Sequence, residues 1–258
     1  MNIDKRIVAQ AFSKAALTYN QSAQLQQQVG QHLLSLAPPR CYQTALDLGC
    51  GTGYFARPLL SKAQSLLAID LSHAMASQAK SEHASITALV SDAEQLALAN
   101  NSVDLVFSSL ALQWCNSLSG ALSEIKRVLK PGGVALFSTL LDGSLYELQQ
   151  AWQAVDQRPH VNRFLTQAQV ADAISNAGFN PQGLSAETVI MAYQHPLALL
   201  KDLKGIGANY VVGAKRRAST PAQLNKMIEI YQQDFSLASQ PESVSATYQL
   251  GYGVLIND

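Results

Sequence analysis

The chain carries little charge. Asp, Glu, Lys and Arg make up 14% of its 258 residues, and 18 basic side chains balance 18 acidic ones to a formal net charge of zero. That balance lacks the basic footprint of bulk nucleic-acid binding, although it leaves room for a local basic patch. No apolar run approaches the roughly 18 residues that a membrane span needs. The first residues lead into an amphipathic pattern and not into the apolar core of a signal peptide. The 3 cysteines, Cys41, Cys50 and Cys115, have no CxxC or Cys/His ligand spacing and read as reduced thiols of a cytoplasmic protein. The histidines are scattered, so no metal site is expected. What is present is an apolar fraction of 48%, ample for a core, in a length that suits one domain with an elaboration.

A further absence is more telling. Leu46-Asp47-Leu48-Gly49-Cys50-Gly51-Thr52-Gly53 is an apolar strand ending in an acid and a glycine-rich turn, and Asp70 closes the next apolar run, Leu66-Leu67-Ala68-Ile69. Such a pairing holds a nucleoside: glycines allow close approach of the backbone, and the second acid accepts from ribose hydroxyls. The third glycine of the dinucleotide fingerprint is missing, because Tyr54 stands in its place. Asp47 would also repel a diphosphate, whereas it suits a ligand bearing an ammonium and a sulfonium.

Residues 3–19 and 22–36 repeat apolar side chains at helical spacing, and Pro38-Pro39 closes the segment. Two helices ahead of the first strand are expected as a lid over the ligand end of a sheet. From there strands at 44–49, 65–70, 86–91, 103–109 and 133–141 alternate with helices at 53–62, 73–81 and 118–129. This alternation implies an α/β fold with a doubly wound, mostly parallel sheet, whose ligands sit at the carboxyl ends of strands. Lys130-Pro131-Gly132-Gly133 reads as the stop of the third of these helices. Helices near 144–156 and 166–177 form an insertion after strand five. Strands at 187–193 and 246–256 bring the sheet to seven, with helices near 196–204 and 221–234 and a loop at 236–245. The expected units are a lid (1–40), a nucleoside-binding half (41–141), an insertion (142–186) and a C-terminal half (187–258), all within one domain.

The D-x-G-x-G-x-G pattern resembles motif I of class I S-adenosylmethionine (AdoMet) methyltransferases, which have a Rossmann-like fold. On that resemblance Gly49, Cys50, Gly51 and Gly53 pass along the methionine tail, with Asp47 beside its ammonium. Asp70 takes the ribose hydroxyls. Asp92, with Ala93, meets the adenine amino group, the plain alternative being a turn or N-cap residue. Leu71 and Met75 pack on the adenine. Leu110-Ala111-Leu112-Gln113-Trp114 follows strand four and faces the transferable methyl. No N-P-P-Y or D-P-P-Y sequence is present, which disfavours amino groups of nucleic acids as acceptors.

Four further segments narrow the resemblance: Phe12-Ser13-Lys14-Ala15-Ala16-x-x-Tyr19, Leu112-Gln113-Trp114-Cys115, the run from Trp152 to Phe164, and Leu203-Lys204-Gly205-Ile206-Gly207-Ala208. Together they resemble the malonyl-acyl-carrier-protein O-methyltransferases of biotin synthesis (BioC). The implied reaction methylates the free carboxylate of a malonyl thioester on acyl carrier protein or coenzyme A. A malonyl carboxylate is already ionised at neutral pH, so the lack of a His/Asp or Ser/His dyad agrees with this chemistry. Arg158, Arg163 and Lys204 are the candidate cations for that carboxylate, with Tyr19 and Gln113 as neutral donors, and the bet falls on Arg158 or Arg163. Packing and solvated-loop roles compete for both arginines. Lys201, Lys204, Lys215, Arg216, Arg217 and Lys226 form a candidate docking patch for an acidic carrier, or simply a solvated basic run. Two other readings stay open: a methyltransferase of quinones or other free small molecules, and a non-catalytic AdoMet-binding module.

Overall fold

The computed structural model describes residues 3–212 and 219–258. The chain opens with three helices, α1 (Lys5–Ala15), α2 (Tyr19–Ser22) and α3 (Gln24–Ser35). The expected first helix over 3–19 is therefore broken. Residues 16–18 turn the chain, and Tyr19 starts a second, one-turn helix. Asp4 caps α1 by accepting from the Arg6 amide at 3.0 Å.

The nucleoside-binding half then runs β1 (Tyr42–Leu48), α4 (Ala56–Leu60), β2 (Ala63–Asp70), α5 (His73–Glu82), β3 (Thr87–Val90), β4 (Val103–Ser109), α6 (Leu118–Val128) and β5 (Leu129–Leu140). The helices α7 (Tyr146–Gln153) and α8 (Gln167–Asn176) precede β6 (Leu184–Tyr193). After them come α9 (Pro196–Gly205), α10 (Pro221–Phe235), the two-residue β7 (Ser236–Leu237) and β8 (Gln240–Ile256). The sheet order is β3-β2-β1-β4-β5-β8-β6, with β7 paired only to β8. β1 to β5 are mutually parallel, whereas β8 runs antiparallel to β5 and β6. This is the doubly wound, mostly parallel arrangement expected, with seven strands along its path and β7 beside it.

Both faces of the sheet are covered, which is why its central strands are apolar almost throughout. On one face Leu33, Leu59, Leu199 and Tyr231 pack with Phe107 and Leu136. On the other Leu122, Ile125, Val170 and Ile174 pack with Leu46 and Val106. α8 thus belongs to the layer that covers one face of the sheet, and α7, through Leu148, Ala151 and Trp152, to the layer on the other, which leaves the α7–α8 loop as the elaboration.

Two local expectations are corrected. Residues 236–245 are not a loop: β8 starts at Gln240, and its first turns of strand pair Val244 with Tyr193 and Ser245 with Ala192. Val244 is 2% exposed, so burial outweighs the polar Gln-Pro-Glu-Ser sequence. Lys130 does not complement the end of α6. That helix stops at Val128, and Lys130 donates to both carboxylate oxygens of Asp104, at 2.9 and 3.0 Å.

Candidate active site

The sheet reverses its winding between β1 and β4, which opens a crevice at their carboxyl ends. The glycine loop after β1 enters it. Gly49 and Cys50 both donate to the Ile69 carbonyl, at 2.7 and 3.0 Å. Gly49, Gly51 and Gly53 have φ of +76°, +53° and +83°, a region closed to most side chains. A Cβ at Gly49 would lie 2.3 Å from the Cβ of Ala111, so this glycine lets the loops after β1 and β4 touch. Gly53 does a different job: a Cβ there would press on Ala79, so it seats the loop on α5. The Gly51 Cα faces open space.

Asp70 ends β2 and anchors this loop. Its Oδ2 accepts from the Gly51 amide at 3.0 Å and its Oδ1 from the Ser72 amide at 2.7 Å. Burial pushes its carboxyl up to about 6, against the pull of those two bonds. Lone pairs remain on both oxygens for further donors. Asp47 is 3% exposed. Burial, then the charge of Asp70, pushes its carboxyl up to about 8. It lines a small cavity of about 40 Å³ with Gly49, Gly51, Thr52, Tyr19 and Asn20.

A second cavity of about 90 Å³ holds Asp70, Leu71, Asp92, Ala93, Leu110 and the Gly49–Gly51 backbone in its wall. Met75 is not in that wall. It is fully buried against Ala15 and Ala16 of α1, so its place is under the lid. Asp92 is engaged from the lid side, because Lys5 donates to both its oxygens at 2.5 Å and also pairs with Glu94. Burial works against the Lys5 charge, but these two carboxylates outweigh it and raise its pKa. Sequence spacing gave no sign of Lys5. The lid is pinned elsewhere by Ile3 N–H to Asn116 Oδ1 at 2.6 Å, by Ser13 with Ser72 at 2.8 Å, and by Thr52 with Asn20 at 2.7 Å. Phe12 meets Trp114 edge-on, with ring centroids 5.6 Å apart.

Beyond this wall lies a larger cavity of about 240 Å³. Phe12, Tyr19, Leu110, Trp114 and Cys115 belong to both. Leu110 holds φ +49°, unusual for leucine and fixed by its amide bonding to Ser138. Burial raises the Tyr19 hydroxyl pKa well above its ordinary value, with Asp70 adding to it. Burial, then Glu94, pushes Cys115 up to about 12, so it is a thiol and no nucleophile. One N–H of Gln113 Nε2 donates to the Leu110 carbonyl at 2.7 Å, which leaves the second for the expected donor role, and its Oε1 is the buried side-chain polar atom left without a partner among the described residues.

The two arginines separate. Arg158 binds Asp156 through Nε at 2.9 Å and Nη2 at 2.6 Å. His160 bonds the other Asp156 oxygen at 2.9 Å and stacks on Trp152 with centroids 3.8 Å apart. Burial opposes ionisation of Asp156, but bonds from the Arg158 side chain and backbone and from His160 hold its carboxyl down at about 2. Arg163, in contrast, is exposed at the rim of the 240 Å³ cavity. It is the one Arg or Lys among the described residues of that wall, which has no Asp or Glu. Lys204 lies in a neighbouring outer cleft and not in this wall. Of the docking patch, Lys215, Arg216 and Arg217 fall outside the described residues, and Lys226 lies on α10.

These residues suit AdoMet in kind: an acid for an ammonium, an acid for a ribose, and open space above Gly51. A methyltransferase-domain profile matches residues 46–137. The malonyl-[acyl-carrier protein] O-methyltransferase of Pectobacterium atrosepticum is 39% identical over 100% of this chain and 98% of its own. That of Pseudescherichia vulneris is 40% identical over 99% of both. The solved YcgJ protein of Bacillus subtilis, at 15% identity, shares the fold with a TM-score of 0.64 over 89% of this chain and 98% of that one. The chain therefore belongs to the malonyl-[acyl-carrier protein] O-methyltransferase family and is an AdoMet-dependent O-methyltransferase.

Proposed function

We propose that the enzyme methylates the free carboxylate of a malonyl thioester, giving the methyl ester that opens pimeloyl synthesis for biotin. The observation that carries this reading is the cavity behind Trp114, with mainly apolar walls and, among its described residues, a single guanidinium at its rim and no carboxylate. A short acyl chain ending in an anion fits that distribution, and a neutral acyl chain leaves the arginine unused.

AdoMet, held by the residues around the glycine loop, would supply an electrophilic methyl to the carboxylate oxygen and leave as the neutral thioether. The protein's task is alignment, which contributes on the order of 7–11 kcal/mol in well-oriented reactions. Arg163 takes the malonyl carboxylate as a fork and turns one oxygen toward the shared wall. Tyr19, neutral through burial, donates from the side of the cofactor. Gln113 presents its unpartnered Oε1 to an N–H of the thioester arm and not to the carboxylate. The closed lid keeps water from a nucleophile that hydration weakens. No base is required, and His160, stacked and bonded to Asp156, forms part of the wall.

Asp47, Gly49, Cys50, Gly51, Asp70, Leu71, Asp92, Ala93 and Leu110 hold the cofactor, while Gly53 and Met75 support them from behind. Mass spectrometry of malonyl thioester incubated with AdoMet should find a gain of one methyl that mild alkali removes. Acetyl thioester should stay unmodified, and its methylation at a comparable rate would contradict selection by the carboxylate.

A further inference from the structure

A wide cleft of about 1140 Å³ opens outside the acceptor cavity, between α1, the α7–α8 loop and α9. The two adjoin, with Leu148, His160, Leu203, Ala208 and Val211 in both walls. The described residues of the cleft include Lys14, Arg158, Lys201 and Lys204 but no Asp or Glu. Arg158 is held by Asp156. Lys14, Lys201 and Lys204 are exposed and enter none of the ion pairs among the described residues. Neutral amides, Gln10, Gln21 and Asn209, stand among the cations.

Three unpaired ammonium groups on one concave wall create a positive field that nothing on that wall offsets. Lysine serves phosphate as a mobile point charge, and it needs no fixed fork geometry to do so. The interleaved amides suit a chain that carries amide groups of its own. The cleft leads to the cavity where the acyl end is placed, so its occupant is long, amide-bearing and anionic at the outer end.

We propose that this cleft holds the phosphopantetheine arm of the malonyl thioester, with Lys14, Lys201 and Lys204 facing its phosphate. This rests on the malonyl-thioester reading above. Carrier protein and coenzyme A share the phosphate-linked arm, so the cleft recognises chemistry common to both.

The test is the double variant Lys14→Gln/Lys201→Gln, both sites exposed and outside the cofactor and acceptor cavities. Three substrates are compared: malonyl-acyl carrier protein, malonyl-CoA and malonyl-N-acetylcysteamine, whose arm ends before the phosphate. KM should rise about five- to tenfold on the phosphate-bearing substrates, with kcat within about twofold, and stay unchanged on the truncated one. Where both phosphate-bearing thioesters are turned over, a rise on one of them alone overturns the proposal, because the arm is common to both; where only one is turned over, a rise on that one supports the cleft and identifies the source of the arm. An equal rise on the truncated thioester, or none on the other two, overturns the proposal. Calorimetric binding of free 4′-phosphopantetheine, weaker in the variant, tests the cleft even if no malonyl thioester is methylated. Equal binding by both proteins overturns it, whereas absence of methylation by the wild type counts against the substrate reading alone.

Discussion

On the reading proposed above, Asp47 should make cofactor binding a proton-coupled event. Its carboxyl is buried, gains no hydrogen bond from the described residues, and lies in the field of Asp70. The rise from an ordinary value of 3.8 to about 8 corresponds to on the order of 5 kcal/mol, at ~1.4 kcal/mol per tenfold change in proton affinity. In the unfolded chain Asp47 ionises near pH 4, whereas the folded protein without ligand keeps the proton until about pH 8. The folded state binds more protons in that window. Its stability is therefore full below about pH 4 and falls as pH rises toward 8. A ligand ammonium reverses this by pairing with the ionised form. S-Adenosylhomocysteine binding at pH 7 should release close to one proton, read by calorimetry in buffers of differing ionisation enthalpy. Affinity should climb between pH 6 and 8 and flatten above, where the ligand's own amino group titrates. Asp47→Asn should abolish the release and weaken binding. It should also raise the ligand-free melting temperature at pH 8–9 by on the order of 10 °C, from 2–4 °C per kcal/mol at this size. Proton release that persists in Asp47→Asn would refute the reasoning.

Asp70→Ala should weaken AdoMet binding and also loosen the glycine loop, because it removes the acceptor for the Gly51 and Ser72 amides; amide exchange at Gly51 reads the second effect. Arg163→Gln should lower kcat/KM on malonyl thioester by one to two orders of magnitude with melting temperature unchanged. Arg158→Gln should lower melting temperature, since it strips Asp156 of its ion pair. Wild-type stability from the Asp156 cluster is present above about pH 4 and lost as pH falls through about 2; in Asp156→Asn, melting temperature at pH 7 should be lower and its acid slope flatter. Gly49→Ala should abolish cofactor binding, as its Cβ would meet Ala111 with φ at +76°.

The parts of this molecule that follow periodicity were legible in its sequence. The strands ending in Leu48, Asp70 and Ser109 are apolar runs buried over most of their length, and their order follows from helical crossovers. What the sequence hid is which of several possible partners each polar side chain takes. Asp156 lies two residues from Arg158, yet the sequence alone does not tell that it occupies Arg158 and leaves Arg163 at the rim. Nothing near Lys5 points to Asp92 and Glu94, about 90 residues away. Gln113 reads as a donor because glutamine carries both groups, and only the fold shows that its Oε1 is the atom left without a partner among the described residues. The broken first helix was hidden for another reason: apolar spacing continues through residues 16–18 although the backbone turns there.

The closed lid bears on turnover as well as on exclusion of water. The cavities beneath it, about 90 and 40 Å³, are far smaller than the several hundred Å³ typical of small-molecule sites. Cofactor exchange thus requires α1 to lift. Lifting it breaks the Ile3–Asn116 and Ser13–Ser72 contacts, each worth about 1 kcal/mol net, and the charge-assisted Lys5–Asp92 pair, worth about 2 kcal/mol. An opening free energy of roughly 4 kcal/mol leaves about one molecule in a thousand open at a time. Departure of spent cofactor draws on that minority, so loosening these contacts should raise the rate of cofactor exchange.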